Sequence, residues 1–184
     1  QPVLVDAGSG TYNKSTFDNT LRYKIWNMSS DYHNLPQVNG CAQAYGSEYK
    51  AVGTKADKKT RTFTADIAGA YPDSANVKFW KRTYKLAKNG ELEINDSFEI
   101  SGASKPNELN FLVAGEPLIL SQGKIKLNAG LSLNYDFGTF KARIEAIPLA
   151  GTGISKAFGD TLYRITLKAN RIEDKGSYRL KINL

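Results

Sequence analysis

The segment Val77-Lys78-Phe79-Trp80-Lys81-Arg82-Thr83-Tyr84-Lys85-Leu86-Ala87-Lys88-Asn89-Gly90-Glu91-Leu92-Glu93-Ile94-Asn95-Asp96-Ser97-Phe98-Glu99-Ile100 reads as two strands folded back on each other. In the second arm Leu92, Ile94, Phe98 and Ile100 fall on alternate positions, the period of a strand with one buried face. Asn89-Gly90 sits at the joint. An Asn-Gly pair predicts a type I′ turn, because both central residues of that turn need positive φ. The expected unit is a hairpin of residues 77–86 with 91–100.

The same alternation extends in both directions. Thr62, Thr64 and Asp66 alternate with Phe63, Ala65 and Ile67, and Lys124-Ile125-Lys126-Leu127 alternates charge with aliphatic bulk. In 139–147, Phe140, Ala142, Ile144 and Ala146 are expected to face inward. Further strands are predicted at 3–5, 48–54, 60–70, 109–114, 117–120, 124–128, 131–135, 161–169 and 177–184. Residues 20–26 read as a strand or a short helical turn, and 155–158 as a helical turn. Asp6-Ala7-Gly8-Ser9-Gly10 offers two glycines for a sharp turn. About a dozen strands at a spacing of roughly 8–12 residues, with no amphipathic helix, predict packed antiparallel sheets. The expected fold is an all-β sandwich forming a single domain over 1–184. Neither an internal repeat nor a Pro/Ser linker divides it.

With 184 residues, 41% hydrophobic and 23% charged, the chain is long enough for a core and ordinary in composition. No apolar run approaches the roughly 18 residues of a membrane span, and no segment reads as a signal peptide. Residue 1 is Gln and the one methionine is Met28, so a processed chain or a fragment of a longer one is expected. Cys41 is alone, which excludes an internal disulfide. The formal charge of +7 suggests polyanionic partners, although a solvated basic surface is the plainer explanation.

Ser29-Ser30-Asp31-Tyr32-His33-Asn34-Leu35-Pro36-Gln37-Val38-Asn39-Gly40 interrupts the strand pattern and holds the only histidine. His33 is therefore the one side chain whose ordinary pKa lies near neutrality. Most self-contained chemistries lack a second part. Gly8-Ser9-Gly10 has no Lys-Ser/Thr ending for a phosphate loop. Cys41 and His33 lack a third triad member, and one His with one Cys carries no zinc-ligand spacing. Eighteen acidic residues leave a paired-carboxylate site open, but none stands out. No RNA-binding signature appears, so nucleic acid is not an expected partner. Tyr23, Trp26, Tyr32, Tyr45 and Tyr49 cluster around the stretch and could stack sugar rings or simply build the core.

Arg22-Tyr23-x-x-Trp26-Asn27, followed by Ser30-x-Tyr32-His33-Asn34-x-Pro36-x-x-Asn39-Gly40-x-x-Gln43-x-x-Gly46, resembles the start of the C-terminal β domain of heparinase II/III-like polysaccharide lyases. Val5-Asp6-Ala7-Gly8-Ser9-Gly10-x-Tyr12 is similar to that family's opening strand, and Trp80-x-Arg82 with Leu92-x-Ile94-x-Asp96 to its next paired strands. The resemblance covers roughly the first hundred residues; beyond them only the strand-rich character matches.

The resemblance implies an N-terminal α/α toroid, missing from this chain, joined to a C-terminal β-sandwich, with the substrate cleft between them. It implies β-elimination on a uronic-acid-containing polysaccharide in the bacterial periplasm or outside the cell. The toroid would supply a catalytic tyrosine and the β domain a histidine, which matches His33. Arg22, Tyr32, Asn34 and Gln43 are the residues expected to line the substrate-facing wall, while Trp26, Trp80 and Arg82 are read as structural. Some members hold zinc here through two histidines and an acid; with one histidine, neither a metal nor another cofactor is expected. The alternatives are a non-catalytic carbohydrate-binding module and a purely structural domain.

Overall fold

The computed structural model describes residues 2–8, 10, 12–18 and 21–184. Ser9 of the expected glycine turn and Thr20, where the 20–26 segment begins, lie outside the described residues. Twelve strands follow one another: β1 Pro36–Gln37, β2 Val52–Asp57, β3 Thr62–Asp66, β4 Val77–Leu86, β5 Leu92–Ile100, β6 Glu108–Ala114, β7 Leu118–Ser121, β8 Lys124–Lys126, β9 Ser132–Tyr135, β10 Phe140–Pro148, β11 Thr161–Ala169 and β12 Lys175–Asn183. Helix is confined among the described residues to turns of three or four residues, so nothing there is long enough to cross a membrane. The segment 20–26, expected as strand or helical turn, holds the 3₁₀ turn Arg22–Lys24 and the start of a second, Trp26–Met28.

The strands form two antiparallel sheets, a small one ordered β1-β6-β11-β10 and a large one ordered β2-β3-β4-β5-β12-β9-β8-β7. Alternate side chains of each meet in one core: Trp80, Ile94, Phe98, Ile125, Leu133 and Leu180 from the large sheet against Leu109, Phe111, Phe140, Ile165 and Leu167 from the small one. Trp80 and Phe98 stack at 4.8 Å between ring centres. Burying a side chain of this size contributes about 1.5–3 kcal/mol, so this interface is the main source of stability. The large sheet overhangs the small one, which is why Phe63, on the apolar face predicted for β3, is 45% exposed. At the far edge, Leu118, Ile119 and Leu120 of β7 are each about half exposed.

The hairpin of β4 and β5 forms as expected, with Trp80 opposite Phe98 and Arg82 opposite Asp96. Its turn differs. Gly90 has φ +87°, whereas Asn89 is not among the residues of positive φ. The Gly90 amide donates to the Ala87 carbonyl and the Ala87 amide to that of Glu91, closing a three-residue loop with glycine at its left-handed position. The two-residue turn occurs instead at Asn39-Gly40, where φ is +49° and +76° and Val38 exchanges both backbone hydrogen bonds with Cys41. There the Asn39 carboxamide oxygen accepts the Ser104 and Lys105 amides, fastening the turn to a second loop.

Ala146 is exposed rather than inward. This end of β10 carries its buried residue, Ile147, on the opposite face of the small sheet. Val5, Ala7, Leu112, Ala114, Ile147, Leu149, Ile154 and Leu162 form a second core there, covered by Trp26, Tyr32 and Phe158. The small sheet is thus buried on both faces at this end.

The free side of β6 is completed by two separate pieces of chain. Leu4 bridges Val113, while β1 pairs Pro36 with Leu109. Asn34 fills the gap between them. Its carboxamide oxygen accepts the Leu112 amide at 3.0 Å and its NH2 donates to the Val5 carbonyl at 2.9 Å. The side chain thereby substitutes for a peptide unit. The Asn34 carbonyl in turn accepts Nη1 of Arg82, whose Nε and Nη2 donate to the two carboxylate oxygens of Asp96, each at 2.7 Å. Arg82 and Asp96 are both buried inside the sandwich, and Asp96 holds the guanidinium above its already high ordinary pKa despite that burial.

Removing one partner of such a pair leaves an uncompensated buried charge, so Asp96→Asn should lower unfolding free energy by about 3–5 kcal/mol. Asn34→Ala, which strips the Leu112 amide of its acceptor, should cost about 1–3 kcal/mol. Removing Lys78 from its exposed pair with Glu99 should have the smallest effect of the three. Urea denaturation of the three variants, with unchanged m-values, checks this ranking.

Candidate active site

The 3₁₀ turn Ser30–Tyr32 is capped by the Ser29 side chain and ends on His33, whose backbone is extended. Asn34 anchors the next residue in the small sheet, so His33 is held from its own backbone outward. Its Nδ1 lies 2.7 Å from Oδ2 of Asp6, with His33 24% and Asp6 58% exposed. Asp6 is fixed as well: its Oδ1 accepts the Gly8 amide at 2.8 Å. Burial acts to raise the Asp6 pKa, but the hydrogen bonds from His33 and Gly8 and the His33 charge together bring it below the ordinary aspartate value. With Nδ1 bonded to a carboxylate, Nε2 is left as the nitrogen for proton exchange.

Tyr32 sits beside this pair and turns onto the outer face of the small sheet. Its hydroxyl donates to Glu145 Oε1 at 3.2 Å, and the Arg164 guanidinium lies 4.0 Å over its ring. Arg164 donates through Nε and Nη2 to Glu145 Oε2, at 2.9 and 2.6 Å, and through Nη1 to the Asp31 carbonyl. Trp26 meets the Tyr32 ring edge-on at 5.4 Å. Burial pushes the Tyr32 hydroxyl above the ordinary tyrosine range, with Arg164 opposing and Glu145 adding to the shift. Tyr32 is therefore a neutral donor near pH 7. Burial likewise raises the Asp31 carboxyl, opposed by the Gln37 hydrogen bond and Arg164 and reinforced by Glu108.

The remaining expected wall residues are each engaged locally. Arg22 Nε donates to the Thr16 carbonyl. The Gln43 backbone amide donates to Ser30 Oγ at 2.8 Å, and its side chain lies against the Tyr71 hydroxyl. Both polar atoms of the Asn34 carboxamide are taken by backbone. The structure therefore brings Tyr32, His33 and Asn34 together as consecutive residues, while Arg22 and Gln43 brace the segments on either side. Tyr23 and Tyr45 stack at 3.8 Å with planes 7° apart, and Tyr45 is 56% exposed.

Sequence reasoning did not single out Asp6, Glu145 or Arg164. Asp6 is 27 positions from His33 and carries no local signal. Glu145 and Arg164 stand directly opposite in the β10–β11 pairing, so registering that hairpin would have exposed an opposite-charge pair. Among the described residues no three His, Cys, Asp or Glu side chains converge on a point that could hold a metal ion.

Because the Asp6 pKa is lowered on folding, its stabilising contribution is complete above the ordinary aspartate value near ~3.9 and lost as pH falls through the lower folded value. Relative to wild type, Asp6→Asn should be less stable at pH 6 and indistinguishable in strong acid. The difference should stay small, since the pair is partly exposed. Denaturant midpoints of both proteins across that range check the sign.

No protein-family model matches this sequence, and no curated protein matches it significantly in sequence. Solved structures do match it. The heparan sulfate lyase HepC from Pedobacter heparinus superposes with a TM-score of 0.71 at 12% identity, covering 99% of this chain and 28% of that one. The heparinase III gene product BT4657 superposes at 0.62 and 14% identity, over 98% and 27% of the respective chains. The chain thus spans little more than a quarter of the length of these enzymes, and along that length it shares their β-sandwich fold.

Proposed function

We propose that this chain is the C-terminal β-sandwich domain of a bacterial polysaccharide lyase that breaks a uronic-acid-containing polymer by β-elimination. The observation that carries this reading is the chain-long likeness to the heparan sulfate lyase HepC and the heparinase III gene product BT4657, joined to a sole histidine held at the surface by Asp6 and Asn34. In the elimination a base removes the proton at C5 and the C4–O4 bond breaks. The electron pair forms the C4–C5 double bond, and a proton is delivered to the departing oxygen. The C5 proton is poorly acidic while the adjacent carboxylate keeps its charge, because abstraction builds an enolate-like dianion. A protonated His33 facing that carboxylate lowers this barrier as oxyanion donors do elsewhere, and Nε2, the nitrogen not bonded to Asp6, is the one that can pass a proton.

In this reading Asp6 and Asn34 position the imidazole, and Arg22, Tyr32 and Gln43 belong to the wall around it. An N-terminal α/α toroid would close the cleft and supply the catalytic tyrosine, so the 184-residue chain by itself is inactive. No metal or other cofactor takes part. The polymer substrate places the enzyme in the periplasm or outside the cell. A carbohydrate-binding module is the second reading, favoured by the exposed Tyr45 stacked on half-buried Tyr23 and the +7 charge; it requires glycan binding with no elimination in any domain context.

The test follows unsaturated uronate ends by ultraviolet absorbance in the protein carrying this chain with its toroid, on heparan, chondroitin, hyaluronan and alginate substrates. His33→Ala should lower kcat by about 10²–10⁴ on the preferred polymer, with circular dichroism unchanged. Wild-type rates in that variant would make His33 structural. Binding without elimination by the wild-type protein on every polymer would transfer the case to the module reading.

A further inference from the structure

The outer face of the small sheet changes character along its strands. At one end Leu112, Ala114, Ile147 and Leu162 lie under the N-terminal segment; in the middle Arg164 and Glu145 pair beneath Tyr32. Beyond them, in the same alternation, come Glu108 on β6, Thr166 and Lys168 on β11, and Lys141 and Arg143 on β10. Glu108, Lys141, Ala142, Arg143, Thr166 and Lys168 line an open groove of about 470 Å³.

The charges here are arranged at a cost. Lys141 stands directly opposite Lys168, and Arg143, opposite Thr166, is diagonal to Lys168. Side chains directly opposite lie about 4.5–5.5 Å apart at Cβ, and like charges in that relation destabilise a sheet. Glu108 compensates only Lys168, at 3.2 Å. Among the described residues neither Lys141 nor Arg143 has an ion-pair partner, and both are exposed. A single lysine would suffice to blunt β10 as an edge strand. A second opposite and an arginine beside it add repulsion that folding does not require. On the large sheet, by comparison, Arg179 pairs with Glu93, and Lys78 and Lys175 with Glu99.

We propose that Lys141, Arg143 and Lys168 form a subsite for the sulfo or carboxylate groups of an acidic polysaccharide, placed along the small sheet beyond the Tyr32–Arg164 pair. The assignment to a glycan rests on the lyase reading above; the anion chemistry rests on the charge arrangement alone. An open, strand-floored groove suits a linear polymer lying across it, and two cations facing each other with a third one alternate step away can grip anionic substituents on neighbouring sugars. Arg143 and Thr166 are one alternate step from the Glu145–Arg164 pair beneath Tyr32, so a chain bound there continues toward Tyr32.

The test titrates the 184-residue chain with a sulfated and a chemically desulfated heparan oligosaccharide of equal length, following backbone amides by NMR at low and at physiological salt. The sulfated probe should shift amides of β10 and β11. Lys141→Gln combined with Lys168→Gln should weaken it about tenfold at low salt and by less at physiological salt. The same variant should melt at an equal or higher temperature, because repulsion is relieved. Lys124→Gln with Lys126→Gln, the same charge change made on exposed positions of β8, should leave affinity within about twofold. Equal weakening by both pairs would show that net charge alone is read and would overturn the subsite. Inorganic sulfate shifting the same amides as strongly at equal anion concentration would reduce it to a free-ion site. A single-stranded oligonucleotide of equal charge binding more tightly through these residues would transfer the groove to nucleic acid. Loss of binding in the groove variant while His33→Ala leaves elimination intact would keep the subsite and refute the catalytic role; retained binding with lost elimination would do the reverse.

Discussion

The Arg82–Asp96 pair is the constraint on which the rest of the site depends. A guanidinium inside an apolar sandwich is tolerable only if every donor is met and its charge is balanced. Asp96 meets two donors from the neighbouring strand, which leaves Nη1 aimed across the core at the edge of the other sheet. What it finds is the carbonyl of Asn34. The charge that makes this contact strong is already fixed in the large sheet, so Asn34 is located by the sandwich rather than by the loop that carries it. From Asn34 the order passes to its neighbours on both sides: the Leu112 amide and the Val5 carbonyl through the side chain, and His33 through the backbone. An imidazole at a surface position is thereby tied to the buried Arg82–Asp96 pair through the backbone of Asn34. Such attachment is what precise positioning of a reacting group needs.

The small sheet does two unlike jobs. Its inner face supplies half of the main core, while its outer face carries a graded sequence of apolar cover, ion pair and bare cations. This division explains why β6 is buried at almost every position instead of alternating. Alternation survives in β5, whose outer face meets solvent, and is lost where a second layer is laid on top. Tyr32 belongs to that second layer. Its ring is packed between Trp26 and Arg164, and its hydroxyl is spent on Glu145, so it bridges the lower wall of the site to the strands beneath it.

Much of this was legible in the residues. The period-two pattern located strands where one face of the large sheet lies in the core, and the hairpin of β4 and β5 was readable from Leu92, Ile94, Phe98 and Ile100. The errors have local physical causes. Asn89-Gly90 had the composition of a two-residue turn, yet the strand register brings Leu86 opposite Leu92 and Ala87 against Glu91, which leaves three residues between them, and only Gly90 adopts positive φ. Ala146 continued the inward pattern of β10 on paper, but there the other face is the covered one and Ile147 takes the buried position. Within the site, His33 was conspicuous as the only imidazole, whereas Asp6 was invisible because nothing local links positions 6 and 33. Asn34 drew attention as a polar neighbour of the histidine; that its carboxamide replaces a peptide group in a sheet depends on where two distant chain segments stop.

The interrupted strand beside β6 has a consequence for how this architecture can vary. The chain leaves the sheet after Val5 and returns at Asn34, and the Asp6–His33 contact closes the excursion at its neck. A loop whose two ends are pinned together changes its closure entropy only slowly with length. Residues near its middle, such as Tyr12 and Phe17, are largely exposed. Insertions or deletions there would leave the imidazole where the sandwich holds it. The two ends of the excursion are therefore fixed, with Ala7, Trp26 and Tyr32 packed in or on the second core, while its middle can vary without rebuilding the sandwich.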